Sequence, residues 1–214
     1  MQFDFSTLPT AAIYKLMGST ITPRPIAWIT SQDRQGRLNA APYSFFNMFC
    51  ADPPILGIGI GSRPEGAIPL PKDSWANIRA TGGFVVQLVD KASVEAMNRT
   101  ATAFPAGDSE LAEAGIETLA STFVAPPRIA SSPVAFECTL FQEIPLGDHN
   151  ALILGRVLAM HLRDDALLDA ERFHVDTEAL HLVGRMHGAG WYARGTDLFQ
   201  LDRIPIEQWK QGVR

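Results

Sequence analysis

Short apolar segments recur along most of this chain with only turns or very short helices between them, and that spacing limits the fold. Pro25 to Ser31 reads as a strand. Asp33-Arg34-Gln35-Gly36 then supplies a turn, because Gly takes positive φ without steric cost. A second strand over Leu38 to Phe49 contains Pro42, which has no N–H for a ladder and so predicts an edge or a bulge. Pro53-Pro54 break it, and Ile55 to Gly61 is a third strand. Ser62 to Lys72 is rich in Pro and Gly and reads as a loop. Asp73 is then expected to cap a short helix, Ser74 to Ala80, that Gly82-Gly83 end. Phe84 to Asp90 is a fourth strand.

Two helical segments follow, near Ala92 to Thr100 and Ser109 to Ala120; the second carries Leu111, Gly115 and Leu119 at the spacing of a packed face. Val134 to Ile144 and Asn150 to Leu162 form a long antiparallel pair joined at Gly147-Asp148-His149-Asn150. Val134, Phe136, Cys138 and Leu140 alternate with Ala135, Glu137 and Thr139, as in a strand with one face buried. Ala179 to Met186 and Trp191 to Leu201 add short strands and a tail. At least six closely spaced strands with few connecting helices favour a closed barrel over a parallel α/β sheet. Before them, Pro9 to Met17 reads as a helix stopped by Gly18.

The 214 residues are 46% hydrophobic and 19% charged, which supports a sizeable core and argues against disorder. The net charge of -5 argues against a nucleic-acid backbone as partner, though a few local donors suffice for one phosphate. The N-terminus lacks the basic-then-apolar order of a signal peptide, and no apolar run reaches a membrane span, so a soluble cytoplasmic protein is expected. Cys50 and Cys138 are read as two buried, reduced thiols, far too few for a four-cysteine zinc site.

Several catalytic motifs fail. Gly57, Gly59 and Gly61 lack the third glycine of G-x-G-x-x-G, and Pro64 stands where a helix would begin. Gly61 to Gly66 has the Walker spacing, but Ala67-Ile68 follow it. The plain reading is a strand whose glycines admit another backbone or a flat ligand. There is no G-x-S-x-G, and His149, His161, His174, His181 and His187 show no H-E-x-x-H pairing, so no metal centre is expected.

One region does combine chemistry. Arg24-Pro25-Ile26-Ala27-Trp28-Ile29-Thr30-Ser31 is followed by Asn39-Ala40-Ala41-Pro42-Tyr43-Ser44-Phe45-Phe46-Asn47, then Lys72-Asp73-Ser74 and Phe84 to Val89. Hydroxyls with Lys72 at a helix start suit a phosphate, because unpaired N–H groups and the helix dipole both favour an anion. A strand bent at Pro42 can offer N–H groups to the edge of a flat heterocycle whose faces Phe45 and Phe46 wall.

These phrases resemble the flavin-reductase-like family of FMN-binding split β-barrels. The match covers R-P-x-A-W-x-T, N-x-A-P-Y-S-F-F-N, D-P-P, K-D-S-x-x-N-I and Gly147-Asp148-His149 with Gly155-Arg156-Val157, roughly residues 20 to 195. The resemblance implies a mainly β protein, a six-stranded antiparallel Greek-key barrel with a few peripheral helices. It implies an N-terminal helical extension over 1–20, the barrel over 21–195 and a tail over 196–214. By position, Thr30, Ser31, Ser44, Asn47, Lys72 and Ser74 become polar contacts to FMN. Tyr43, Phe45 and Phe46 shape the isoalloxazine pocket, and His149 stands near flavin and incoming nicotinamide. The sequence departs from the family in the long loop Gly61 to Pro71, beside which Arg63 is placed to replace or supplement Lys72. It departs again at Gln87, where relatives often have Asn, and in the acidic, helix-like stretch Asp164 to Ala179.

The function this implies is an NAD(P)H:flavin oxidoreductase, with FMN held and NADH or NADPH as transient donor. A homodimer is expected to close the open side of the flavin pocket, with a monooxygenase or other acceptor downstream. Two alternatives stand beside it: an FMN-holding electron carrier that the long loop shields from nicotinamide, and a binding module that has kept only the barrel.

Overall fold

The computed structural model describes residues 1–63, 70–102, 104 and 109–210. Helix α1 (Thr10–Thr20) precedes β1 (Ala27–Gln32), β2 (Leu38–Tyr43), β3 (Phe46–Ala51) and β4 (Pro54–Arg63). Then come α2 (Asp73–Thr81), β5 (Gly83–Leu88), α3 (Val94–Arg99), α4 (Glu110–Glu113), β6 (Val134–Pro145) and β7 (Asn150–Leu162). The main sheet runs β2-β1-β5-β6-β7-β4-β3, antiparallel throughout, with the two-residue strand Leu70–Pro71 added to β4.

β2 and β3 are the two ends of this sheet, yet only Ser44 and Phe45 separate them in the chain. So short a link spans about 11 Å at most, and the ends therefore meet: the sheet is rolled into a split barrel, as expected. The Phe45 carbonyl accepts a bond from the Gly59 N–H at 2.7 Å and seals this corner onto β4. The strand expected over Leu38–Phe49 is thus two strands. Pro42 lies on β2, which pairs with β1 on one side only, where its missing N–H costs nothing.

Ala27 and Ile29 of β1, Ile58 and Ile60 of β4, Phe84 and Val86 of β5 and Ile153 of β7 fill the interior, and Trp75 and Ile78 of α2 join them. The outer face of β1 and β2 is covered as well: Trp28 and Ala40 pack with Met97 of α3, Leu111 of α4, Ile129 and Val183. Within this outer layer the Trp28 indole N–H donates to the Thr100 hydroxyl at 2.9 Å.

That second layer explains one departure from the sequence reading. Glu137 is fully buried although the alternation set it in water. Its carboxylate accepts from the N–H groups of Thr122, Phe123 and Val124 and lies 2.6 Å from the His161 ring nitrogen, which draws the 122–124 segment across β6. The helix expected over Ser109–Ala120 ends after Glu113, because Gly115 turns at φ +62° and Leu119 falls in an exposed two-residue strand. Asp73 does not cap α2; Lys72 holds the N-cap position and Asp73 is the first helical residue. Helix α1 runs through Gly18 to Thr20. Cys50 is exposed on β3, and only Cys138 is buried. Asp164 to Ala179 is a 3-10 turn followed by the pair Leu167–Asp169 and His174–Val175, with no α-helix. Among the described residues, no helix is long and apolar enough to cross a membrane.

Candidate functional site

The site begins at the Ser44-Phe45 corner. A Cβ on Gly57 would lie 2.4 Å from the Phe49 ring, and one on Gly59 would lie 3.0 Å from the Phe45 Cβ. Glycine at both positions therefore lets Phe45 and Phe49 pack close against β4, with Phe45 52% and Phe49 60% exposed. Exposing two large rings side by side leaves apolar surface that a flat ligand or a protein partner can cover. Tyr14 of α1 stands 6.2 Å from Phe45, centroid to centroid. Phe46 packs partly into the barrel interior. Asn47 is exposed, and its side-chain oxygen accepts from the Met48 N–H at 2.8 Å.

Next to the corner lies the start of α2. Lys72 is exposed and its ammonium sits 5.8 Å over the ring of Tyr43, the neighbour of Ser44 in the chain. No side chain caps α2, so its first N–H groups and dipole favour an anion here. Beneath them is a buried polar layer. The Ser74 hydroxyl and the Asn39 amide are hydrogen-bonded at 2.8 Å, and the Glu110 carboxylate accepts from the Ala40 N–H at 3.0 Å. Burial raises the Glu110 pKa, and the nearby Asp73 charge adds to the rise against the Ala40 bond. Burial also pushes the Tyr43 phenol up to about 12, despite a hydrogen bond with Ser74. Arg63 approaches both Asp73 carboxylate oxygens at 3.2 Å, which ties the end of β4 to the start of α2.

His149 occupies the exposed tip between β6 and β7, and its carbonyl accepts from the Ser62 N–H at 2.7 Å. It therefore flanks the end of β4 from one side while Phe45 flanks Gly59 from the other. Three residues of strand separate the two contacts, about 10 Å.

Thr30 and Ser31 lie within the barrel wall, with Ser31 opposite Asn39 in the β1–β2 register. Both are fully buried in β1 and face opposite sides of the barrel wall. The Thr30 hydroxyl donates to the Pro127 carbonyl and accepts from Gln87 at 3.0 Å, while Ser31 accepts from Asn77 of α2 at 3.2 Å. Tyr43, Lys72 and Ser74 are brought into contact, with Arg63 tied to Asp73 beside them, while Ser44, Phe45, Phe46 and Asn47 follow Tyr43 around the corner onto β3. The loop expected over Gly61 to Pro71 falls largely on residues 64–69, outside the described residues.

Comparison with known proteins decides the family. The model of the flavin reductase like domain matches residues 17–178. The chain belongs to the flavin reductase-like family. A Deinococcus radiodurans protein of uncharacterised role is 44% identical over 213 residues, covering 98% of this chain and 92% of its own. The crystal structure of the 2-nitrobenzoate 2-nitroreductase of Pseudomonas fluorescens is 33% identical, covers 96% of both chains and superposes with a TM-score of 0.85. Nitrilotriacetate monooxygenase component B from Bacillus cereus is 31% identical, covering 94% of this chain and 98% of its own, with a TM-score of 0.86.

Within this flavin reductase-like barrel, sequence reasoning missed two residues that organise the site. Arg24 opens the R-P phrase but was given no role; its side chain reaches Ser44. Asn39 opens the second phrase and fixes Ser74 under α2. The signal was a polar residue just before a β-strand for Arg24 and inside one for Asn39, where only the tertiary partner tells a surface group from an anchor.

Proposed function

We propose that this flavin reductase-like chain holds FMN at the Ser44–Asn47 corner and transfers hydride to it from NADH or NADPH in the cytoplasm. The observation that carries the proposal is the junction of two surfaces. The exposed Lys72 ammonium at an uncapped helix start lies 5.8 Å over Tyr43, and Tyr43 adjoins the corner that bears the exposed Phe45 ring. An anion site thus borders an aromatic one, which is the donor set a phosphate-bearing flat heterocycle requires.

In this reading Lys72 and the first N–H groups of α2 receive the phosphate, with Arg63 nearby through its bond to Asp73. Ser44 and Asn47 contribute polar contacts, Phe45 and Phe46 contact the rings, and Tyr43 supports the corner from inside the barrel. Ser74 acts from below, through Tyr43 and Asn39, and Thr30 and Ser31 act by holding the β1 wall. When bound, the flavin supplies the hydride-accepting chemistry, so the protein needs to orient and to exclude water more than to move protons. Tyr43 fits that limit, since a phenol raised to about 12 stays protonated at neutral pH and offers no base. His149, at the exposed hairpin tip beside Ser62, is the residue we assign to seating the nicotinamide.

We assign residues 21–195 to the flavin-binding unit, with 1–20 and 196–214 as extensions. A second copy is proposed to cover β3, whose Met48 is 69% and Phe49 60% exposed on an edge strand. The names of the two structural relatives suggest the acceptors to try, a nitroaromatic acid and the oxygenase partner of a two-component monooxygenase. Steady-state oxidation of NADH and NADPH with added FMN tests the proposal. Turnover with at least one nucleotide is expected; none with either would sink it.

A further inference from the structure

Arg24 lies just before β1, is 8% exposed, and has a guanidinium with acceptors on three separate parts of the chain. A buried guanidinium is costly unless its N–H groups are satisfied. Here Nη1 donates to the carbonyls of Gly18 and Ile21 at the end of α1, both at 2.7 Å, and Nη2 donates to the Met186 carbonyl at 3.1 Å. The backbone joins the same clasp through reciprocal bonds with Arg185 at 3.0 and 2.8 Å. These contacts hold α1 and the segment after the Val183–Arg185 strand against the start of β1.

The fourth contact differs from the rest. Nε donates to the Ser44 hydroxyl oxygen at 3.3 Å, and the guanidinium carbon stands 5.9 Å from the Phe45 ring centroid. A hydroxyl that accepts from a cation keeps its own proton to give, and the cation polarises it into a better donor. Among the described residues, the Ser44 hydroxyl donates to no acceptor.

We infer that Arg24 is a positioning residue for the flavin, setting the Ser44 hydroxyl as a donor to an acceptor atom on the isoalloxazine edge. The inference rests on the proposal that FMN binds at this corner. A purely structural clasp would affect FMN through folding alone, independently of Ser44. A positioning residue acts through Ser44, so the two substitutions must be non-additive.

The test is a double-mutant cycle on the full chain, with Arg24→Lys, Ser44→Ala and the double variant. Lysine keeps the charge for the Gly18 and Ile21 carbonyls and lacks the Nε donor. FMN dissociation constants come from quenching of flavin fluorescence, and melting temperatures are measured alongside. Each single substitution is expected to weaken FMN about tenfold, and the double variant to be no more than about threefold weaker than Ser44→Ala. Effects that multiply to about a hundredfold, or wild-type affinity in Arg24→Lys, overturn the inference. Should the Arg24 variants not fold, Ser44→Ala and Ser44→Thr still decide. Alanine must weaken FMN and shift the bound flavin's visible spectrum while threonine restores both, and an unchanged affinity and spectrum in alanine overturns the role. Wild-type protein that takes up no FMN would overturn the flavin proposal itself, a result distinct from either additive outcome.

Discussion

The hydroxyls of β1 and the hydroxyl of the Ser44 corner belong to one run of motif sequence and end in opposite situations. Thr30 and Ser31 are fully buried, and each is bonded to a neighbouring element: Thr30 to Gln87 and Pro127, Ser31 to Asn77. Ser44 is half-buried, receives a bond from Arg24, and has an exposed Phe45 beside it. The same residue types thus build a wall in one place and stand at a half-buried corner in the other. What separates them is layering. The β1–β5–β6 wall has a packed core on one face and the α3, α4 and 122–127 segments on the other, whereas at the corner, where the rolled sheet closes, Phe45 stays exposed with Tyr14 and Arg24 beside it.

Glu137 sets the largest effect on the wall side. Replacing it with Gln turns one carboxylate oxygen into an NH2 group that cannot accept, so either the Thr122 N–H or the Phe123 and Val124 N–H groups lose their acceptor. A loss of about 3 kcal/mol is expected from a broken buried network, seen as a melting-temperature drop of roughly 6–12 °C. An unchanged melt would show that the 122–124 segment is held by other contacts. The same residue carries a pH dependence. Burial acts to raise its pKa, but the bonds from Thr122, His161 and Phe123 outweigh this and hold it below the ordinary glutamate value. A carboxyl shifted down stabilises the fold above its unfolded value and loses that contribution as pH falls through its folded value. Stability of the wild type should therefore fall more steeply than that of Glu137→Gln as pH drops below about 4.5; parallel acid profiles would contradict the assignment.

Thr30→Val sharpens the contrast further. It leaves Gln87 and the Pro127 carbonyl without their hydroxyl partner, where the Gln87 side-chain oxygen already has none among the described residues. We expect about 2 kcal/mol of destabilisation with FMN affinity unchanged. A large loss of FMN affinity in well-folded Thr30→Val would move β1 into the binding site. On the corner side, Ser44→Ala should weaken FMN about tenfold, equivalent to about 1.4 kcal/mol, with little change in melting temperature. Lys72→Ala should have the smallest effect, about threefold to fivefold weaker FMN binding. It should leave riboflavin, which has no phosphate, unaffected. Equal losses for both ligands would place Lys72 at the ring instead of the phosphate.

The barrel was legible because its strands are short, frequent and bounded by turn residues, and Pro42 correctly marked an edge. The break at Ser44-Phe45 was not legible. Leu38 to Phe49 carries a continuous strand-like composition, and only closure of the sheet, with Phe45 bonded to Gly59, divides it. Glu137 misled for a related reason. Alternation reports which residues share a face, but it does not say whether a later segment will cover that face. Leu111, Gly115 and Leu119 have helical spacing, yet the positive φ of Gly115 ends the helix before the spacing is used. Of the candidate site, the corner and Lys72 were singled out by motif and residue type. Arg24 escaped because its role depends on Gly18, Ile21, Met186 and Ser44, which meet only after folding.

The most direct test of the central claim is the absorbance of FMN-reconstituted protein after gel filtration, followed by anaerobic addition of NADH and then NADPH. The account predicts a retained flavin band near about 450 nm that bleaches promptly with one of the two nucleotides. Protein that emerges without a flavin band, after reconstitution with excess FMN, would contradict it.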